Sequence, residues 1–187
     1  HARLSASGSA KWLNCPGSVS LESEFPDKSS PEANEGTVAH TLGELKINYA
    51  LGDVTRNQFI RRCNKLAREN NYVELPADMQ EYIDSYCNYV MEVYHKHKSR
   101  SGDITIAVEK KLDFSNYVPD GFGTGDCVIV SDGILDIIDL KYGKGVLVES
   151  ENNPQLKLYA LGALEEYDYL YDIKEVHCTI YQPRKDN

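Results

Sequence analysis

The sequence predicts an α/β domain in which a mixed β-sheet is covered by helices. Three observations carry that reading. Apolar residues recur at helical spacing through roughly the first hundred positions. The period drops to two near Ile104, where ITIAVEKK alternates like a strand. After a helical first half, the order becomes strand, strand, strand, helix, strand.

Each element has its own signal. Residues 5–21 (SASGSAKWLNCPGSVSL) read as a short helix that Ser7 or Ser9 can cap and that Pro16-Gly17 ends. Residues 23–34 read as a polar loop rich in Ser, Pro and Glu. A helix is expected over about 35–50, stopping near Gly52, with the apolar stripe Val38, Leu42, Leu45 and Tyr49. His40 and Glu44 lie one turn apart on its opposite face. Residues 55–70 predict a polar helix. Residues 77–97 predict a longer one, buried along Met79, Tyr82, Ile83, Tyr86, Val90 and Val93. Strands are expected over 104–111, 122–130 and 134–142. Asn153 and Pro154 suit the cap and first turn of a helix running to about Tyr167, and EVHCTIYQ (175–182) suits a final strand.

The chain has 187 residues, 41% hydrophobic and 26% charged, which is enough for one soluble domain with its own core. We therefore expect a single domain over 1–187, with a helical part over about 1–100 and an α/β core over about 101–187. No apolar run is long enough to span a bilayer, and no signal-peptide pattern opens the chain. That points to the cytoplasm. The chain begins with His1 and breaks off after YQPRKDN, so a trimmed start and residues beyond 187 are expected in the natural protein. Cys15, Cys63, Cys87, Cys127 and Cys178 form no CxxC pair, which fits scattered reduced thiols.

The net charge of −9 weighs against nucleic acid at first sight. Acids that hold cations weaken that argument, because only a local groove must be positive. Basic residues do cluster locally, as Arg61, Arg62, Lys65 and Arg68, as Lys110 and Lys111, as Lys141 and Lys144, and as Arg184 and Lys185. The 61–68 run alone reads first as a solvated helix face.

Residues 121–145 (GFGTGDCVIVSDGILDIIDLKYGKG) carry the chemistry. Asp132-Gly133 between β-rich apolar runs signals a two-residue hairpin turn. With those two residues as the turn, Asp126 and Asp139 face each other across the hairpin on one side. Cβ atoms of directly opposed residues are roughly 4.5–5.5 Å apart. Two carboxylates so placed repel unless a proton or a cation sits between them. Lys141 is on the same side as Asp139 by strand alternation. A divalent cation held by two acids, with an ammonium beside it, suits phosphodiester cleavage. The glycines before Asp126 let backbone or ligand approach closely. Asp136 falls on the other side and reads as structural or solvent-exposed. Gln155 and Tyr159, one helical turn apart, point the same way from the following helix, as site residues or equally as a capping glutamine and a core tyrosine.

These residues, in this order, resemble the RecB-like branch of the PD-(D/E)XK nuclease superfamily, which includes lambda-type exonucleases. The matching positions are His40 within EGTVAH, Asp126 within GTGD, Asp139 and Lys141 within IDLK, and Gln155 with Tyr159 within QLKLY. The opening LSASGSAKWLNCPGS resembles the serine-rich start ending in Cys-Pro that is common in this branch. The chain looks most like a phage-encoded group of that branch, over nearly its whole length. The resemblance implies a restriction-endonuclease-like core. It implies Mg²⁺ or Mn²⁺ bound by Asp126, Asp139, the Leu140 carbonyl and His40. It makes Lys141 the catalytic lysine, with Gln155 and Tyr159 bracing the site or touching DNA. Glu109 stands where some members carry an additional acid. Apart from the resemblance, Gly143-Lys144-Gly145 reads first as a plain turn, and Lys144 and Arg184 are further candidate DNA contacts. Some members hold an iron–sulfur cluster through one early and three late cysteines. Cys15 matches the early position and only Cys178 is late, so no cluster is expected here.

The expectation is thus a metal-dependent deoxyribonuclease of phage or prophage origin, acting in a bacterial cytoplasm on DNA in recombination, with a phage recombination protein as a further expected partner. The alternative is a non-catalytic module of the same fold that binds DNA or a protein. A glycoside hydrolase using the paired acids is disfavoured by the adjacent lysine and by the absence of an aromatic sugar platform.

Overall fold

In the computed structural model, residues 2–25 and 30–185 are described. Ten elements follow in order: α1 (Ser9–Asn14), α2 (Ser18–Glu22), α3 (Pro31–Leu51), α4 (Arg56–Glu69), α5 (Ala77–Arg100), β1 (Thr105–Asp113), β2 (Phe122–Ser131), β3 (Ile134–Leu140), α6 (Pro154–Tyr171) and β4 (Glu175–Tyr181). The fold is α/β, with an N-terminal helical region and a four-stranded mixed sheet in the order β1-β2-β3-β4.

The Asp132-Gly133 turn sets the register of the sheet. Both residues have positive φ, +43° and +78°, as a type I′ turn requires. Ser131 pairs with Ile134 directly across it, and the antiparallel β2–β3 ladder runs back to Cys127 opposite Ile138. β1 joins β2 antiparallel, from Thr105 opposite Val130 to Asp113 opposite Phe122. β4 runs parallel to β3. Lys174 N–H donates to Gly133 O where both strands begin, and Lys141 N–H donates to Tyr181 O where both end. A parallel return of this kind needs a crossover, and α6 supplies it.

The chain divides into two compact units. The first comprises His1–Lys28, His97–Asp139 and Glu149–Ile180. In it α6 covers one sheet face. Val128, Val130, Leu135 and Ile137 from the strands pack with Leu156, Tyr159 and Ala163 from the helix. Full burial of such aliphatic side chains contributes about 1.5–3 kcal/mol each. Asn153 Oδ1 accepts from Leu156 N–H at 3.2 Å and Pro154 occupies the first turn, so α6 starts where its sequence signal places it. The expected 5–21 helix is two helices, because Pro16-Gly17 interrupts it between α1 and α2. Neither Ser7 nor Ser9 caps α1. Ser5 Oγ instead accepts from Gly8 N–H at 3.2 Å.

The second unit comprises Ser29–Lys96, Leu140–Val148 and Tyr181–Asn187. Its core lies on the inner faces of α3, α4 and α5, with Val38, Leu42, Leu45, Ile47, Leu66, Met79, Ile83, Tyr86 and Val90 buried. Tyr49, expected on the buried stripe, is 41% exposed and stacks on Phe59 with ring centroids 4.8 Å apart. α3 begins earlier than the composition of 23–34 suggests. Ser30 Oγ accepts from Ala33 N–H at 3.1 Å, and Pro31 opens the helix. Residues 26–29 of that expected loop lie outside the described residues.

Candidate metal centre

Extending the β2–β3 register by one position beyond Cys127–Ile138 puts Asp126 opposite Asp139. The two acids are 8% and 2% exposed. β1 adds a third. Val108 pairs with Cys127 and Lys110 with Gly125, so Glu109 falls opposite Asp126 on the other flank of β2. A carboxylate oxygen of Glu109 lies within 4.8 Å of one from Asp126. Strands β1, β2 and β3 thus each deliver one acid to the same row of the sheet.

Glu109 is held there at a cost. Its φ is +49° in the middle of a strand. Among the described residues the other positive-φ positions besides glycine are Asn71, Asp120, Asp132, Asn152 and Asp172, all Asn or Asp, which tolerate that region. A glutamate has no such excuse, and strain of this kind costs on the order of 1–3 kcal/mol and clusters at functional sites.

α6 closes the site from above. Gln155 Nε2 donates to Asp139 Oδ1 at 3.1 Å and to the Tyr159 hydroxyl at 3.1 Å. Tyr159 is 4% exposed. Burial pushes its phenol well above the usual range. The Gln155 hydrogen bond pulls it part of the way back, and the negative charges of Asp139, Asp126 and Glu109 push it further up. The phenol therefore stays neutral and can donate a hydrogen bond. Its ring lies against β2 where Gly123 leaves room, since a Cβ there would meet Tyr159 Cε1 at 2.7 Å. The close approach read from the GFGTG glycines is thus made, at Gly123, by the protein's own ring.

The remaining predicted residues belong to the second unit. His40 is half-buried on α3. Leu140 ends β3, and Lys141, half-buried, follows it in the sequence. The strand expected to reach 142 ends at Leu140, although Lys141 N–H continues the bonding to β4. Lys144 is exposed. The Arg184 side chain is only 6% exposed and pairs with Glu35 Oε2 at 3.0 Å, its guanidinium 4.6 Å from the Tyr142 ring centre. Those contacts occupy Arg184 within its own unit.

All three acids offer hard oxygen donors, which suit a hard divalent cation better than a thiophilic one. A family model described as Protein of unknown function (DUF2800) matches residues 1–187. The chain belongs to that family. No solved structure matches this DUF2800 chain.

A second polar cluster in the first unit of the DUF2800 chain escaped the sequence reading. On the sheet face away from Asp139, His97 Nε2 lies 2.8 Å from Asp136 Oδ2, and His97 Nδ1 lies 2.7 Å from Ser131 Oγ. His177 Nδ1 approaches the same Asp136 oxygen at 3.3 Å. Asp136 is therefore structural and not solvent-exposed. His97 had a sequence signal, because Met79, Ile83, Tyr86, Val90, Val93 and His97 continue one stripe at alternating spacings of four and three. Ser131 is 1% and His97 2% exposed, so these two side chains are closed off from solvent.

Proposed function

We propose that this chain is a divalent-cation-dependent nuclease that hydrolyses DNA phosphodiesters. The carrying observation is the row of three acids from three adjacent strands, one of them on strained backbone. Like charges brought to one row, at a conformational cost, are accounted for by a cation that they bind together. The ordered resemblance to RecB-like nucleases adds the reaction and the substrate.

Asp126, Asp139 and Glu109 would hold the cation, with the Leu140 carbonyl and His40 assigned to it by resemblance. When bound, it would supply Lewis acidity toward the phosphate. Gln155 fixes the orientation of Asp139 and ties it to Tyr159, so the acid keeps one rotamer. Lys141 Nζ would orient the attacking water and offset negative charge on the phosphoryl oxygens. Water oxygen bonds to phosphorus, the bond to the leaving ribose oxygen breaks, and that oxygen takes a proton. Tyr159, neutral, would donate to a backbone oxygen of the strand.

The test is incubation of linear DNA with Mg²⁺ or Mn²⁺, with and without EDTA. Cutting is expected with metal, and is expected to be lost in EDTA, in Asp139→Ala and in Lys141→Ala. Cutting that survives in both variants would sink the assignment. A calorimetric Mn²⁺ titration of His40→Ala tests its place among the ligands.

A further inference from the structure

Helix α4 concentrates positive charge in an acidic protein. Its 14 residues carry Arg56, Arg61, Arg62, Lys65 and Arg68 against the single acid Glu69. The whole chain has 20 basic and 29 acidic residues, so a quarter of the basic ones lie on this helix. At about 100° per residue, Arg61, Lys65 and Arg68 fall within about 60° of one another, with Arg62 beside them. All four are exposed. Together with Gln58, Arg61, Arg62 and Lys65 line a shallow surface cleft. The apolar residues Phe59, Cys63, Leu66 and Ala67 lie on the opposite side, and Leu66 and Ala67 are buried.

The arginines of this helix, Arg56, Arg61, Arg62 and Arg68, are not engaged in ion pairs among the described residues, although Lys65 pairs with Glu69 at 3.6 Å. Elsewhere Lys46, Lys110, Lys174 and Arg184 are all paired. Arg61 and Arg68 each donate Nε–H to the carbonyl four residues earlier, at 3.4 and 3.2 Å. That lays the arms along the helix and leaves the other guanidinium donors for a ligand. The helix is ordered by its own capping box, in which Thr55 and Gln58 bond reciprocally.

We propose that this face of α4 binds the phosphodiester backbone of DNA, resting on the nuclease reading only for the identity of the polymer. Arg61 to Arg68 spans about 10 Å of helix axis. Duplex DNA presents about one phosphate per 1.7 Å of its axis, so about six fall within that span. Guanidinium forks match phosphate oxygens in pairs, and Asn57, Gln58 and Asn64 add neutral donors on the same helix. The basic face carries no aromatic or aliphatic anchor of the kind that fixes a protein partner.

The experiment is fluorescence anisotropy of a labelled 20-bp duplex in EDTA, which removes cleavage from the readout, over 50–200 mM salt. Wild type is expected to lose affinity on the order of 100-fold across that range, as four neutralised phosphates require. The quadruple variant R61Q/R62Q/K65Q/R68Q should bind at least tenfold more weakly at 50 mM, and its log–log salt slope should be flatter by about 3–4. Single variants such as R62Q, which touch only exposed side chains, should each flatten it by about 0.9. An unchanged slope in both, absent DNA binding by wild type at 50 mM, or binding of polyglutamate as tight as that of DNA would overturn the proposal. Wild type that binds DNA through α4 but never cuts it would overturn the nuclease reading and leave this surface standing.

Discussion

Asp136 and Asp139 are three residues apart on one strand and face opposite ways, and their surroundings differ in kind. Asp136 meets two imidazoles, from His97 and His177. Asp139 faces Asp126 across the hairpin and is steered by the amide of Gln155. Both acids are almost fully buried. Burial therefore does not separate a structural carboxylate from a candidate ligand; the identity of the neighbours does. Imidazoles settle a carboxylate by lending it a hydrogen-bond donor. Carboxylates gathered from three strands form a candidate cation site.

The comparison can be broken most directly at Asp139. Asp139→Ala should bring metal-dependent cutting below detection and remove the rise in melting temperature that Mn²⁺ gives wild type, while the variant still melts cooperatively. Asp136→Asn should keep the Mn²⁺ response, and losing it there would erase the distinction between the faces. His97→Ala comes next. It leaves Asp136 without its nearest imidazole in a buried setting, so unfolding in urea should show a loss of about 3 kcal/mol. Mn²⁺ affinity, measured calorimetrically below the transition, should stay within twofold of wild type.

Gln155→Ala should lower Mn²⁺ affinity by roughly 10–100-fold, the usual cost of losing a group that orients a ligand. Its circular dichroism spectrum should not change. The smallest effect is expected at Glu109. Glu109→Gly relieves the positive φ and should raise stability in EDTA by about 1 kcal/mol, while weakening the cation response. A variant that loses stability in EDTA would show that the strain is not stored at this residue.

Much of the site was legible because one local signal controls it. Asp132-Gly133 favours a two-residue turn over a three-residue loop with Ser131, and a two-residue turn fixes which residues oppose each other for the length of the hairpin. The start of α6, and with it the placing of Gln155 and Tyr159, was legible from Asn153-Pro154. Glu109 was assigned only by resemblance, since nothing in ITIAVEKK marks a left-handed residue in mid-strand. The chain adopts it for tertiary reasons that no local propensity encodes. The start of α3 was misread because a polar, Ser-Pro-Glu-rich stretch outweighed the Ser30-Pro31 cap signal. The pairing of His97 with Asp136 joins residues 39 positions apart, and spacing along the chain cannot supply that contact.

Gly123 and Tyr159 also limit how this protein can change. The ring on α6 fills the volume that any side chain at 123 would occupy. The two positions are therefore not independent characters in its descent. An alanine at 123 is admissible only after the ring at 159 has shrunk or moved, and shrinking the ring first loosens the partner of Gln155. The order of mutation matters, and the direct route crosses a sterically strained intermediate. Such a pair should be inherited together or exchanged together.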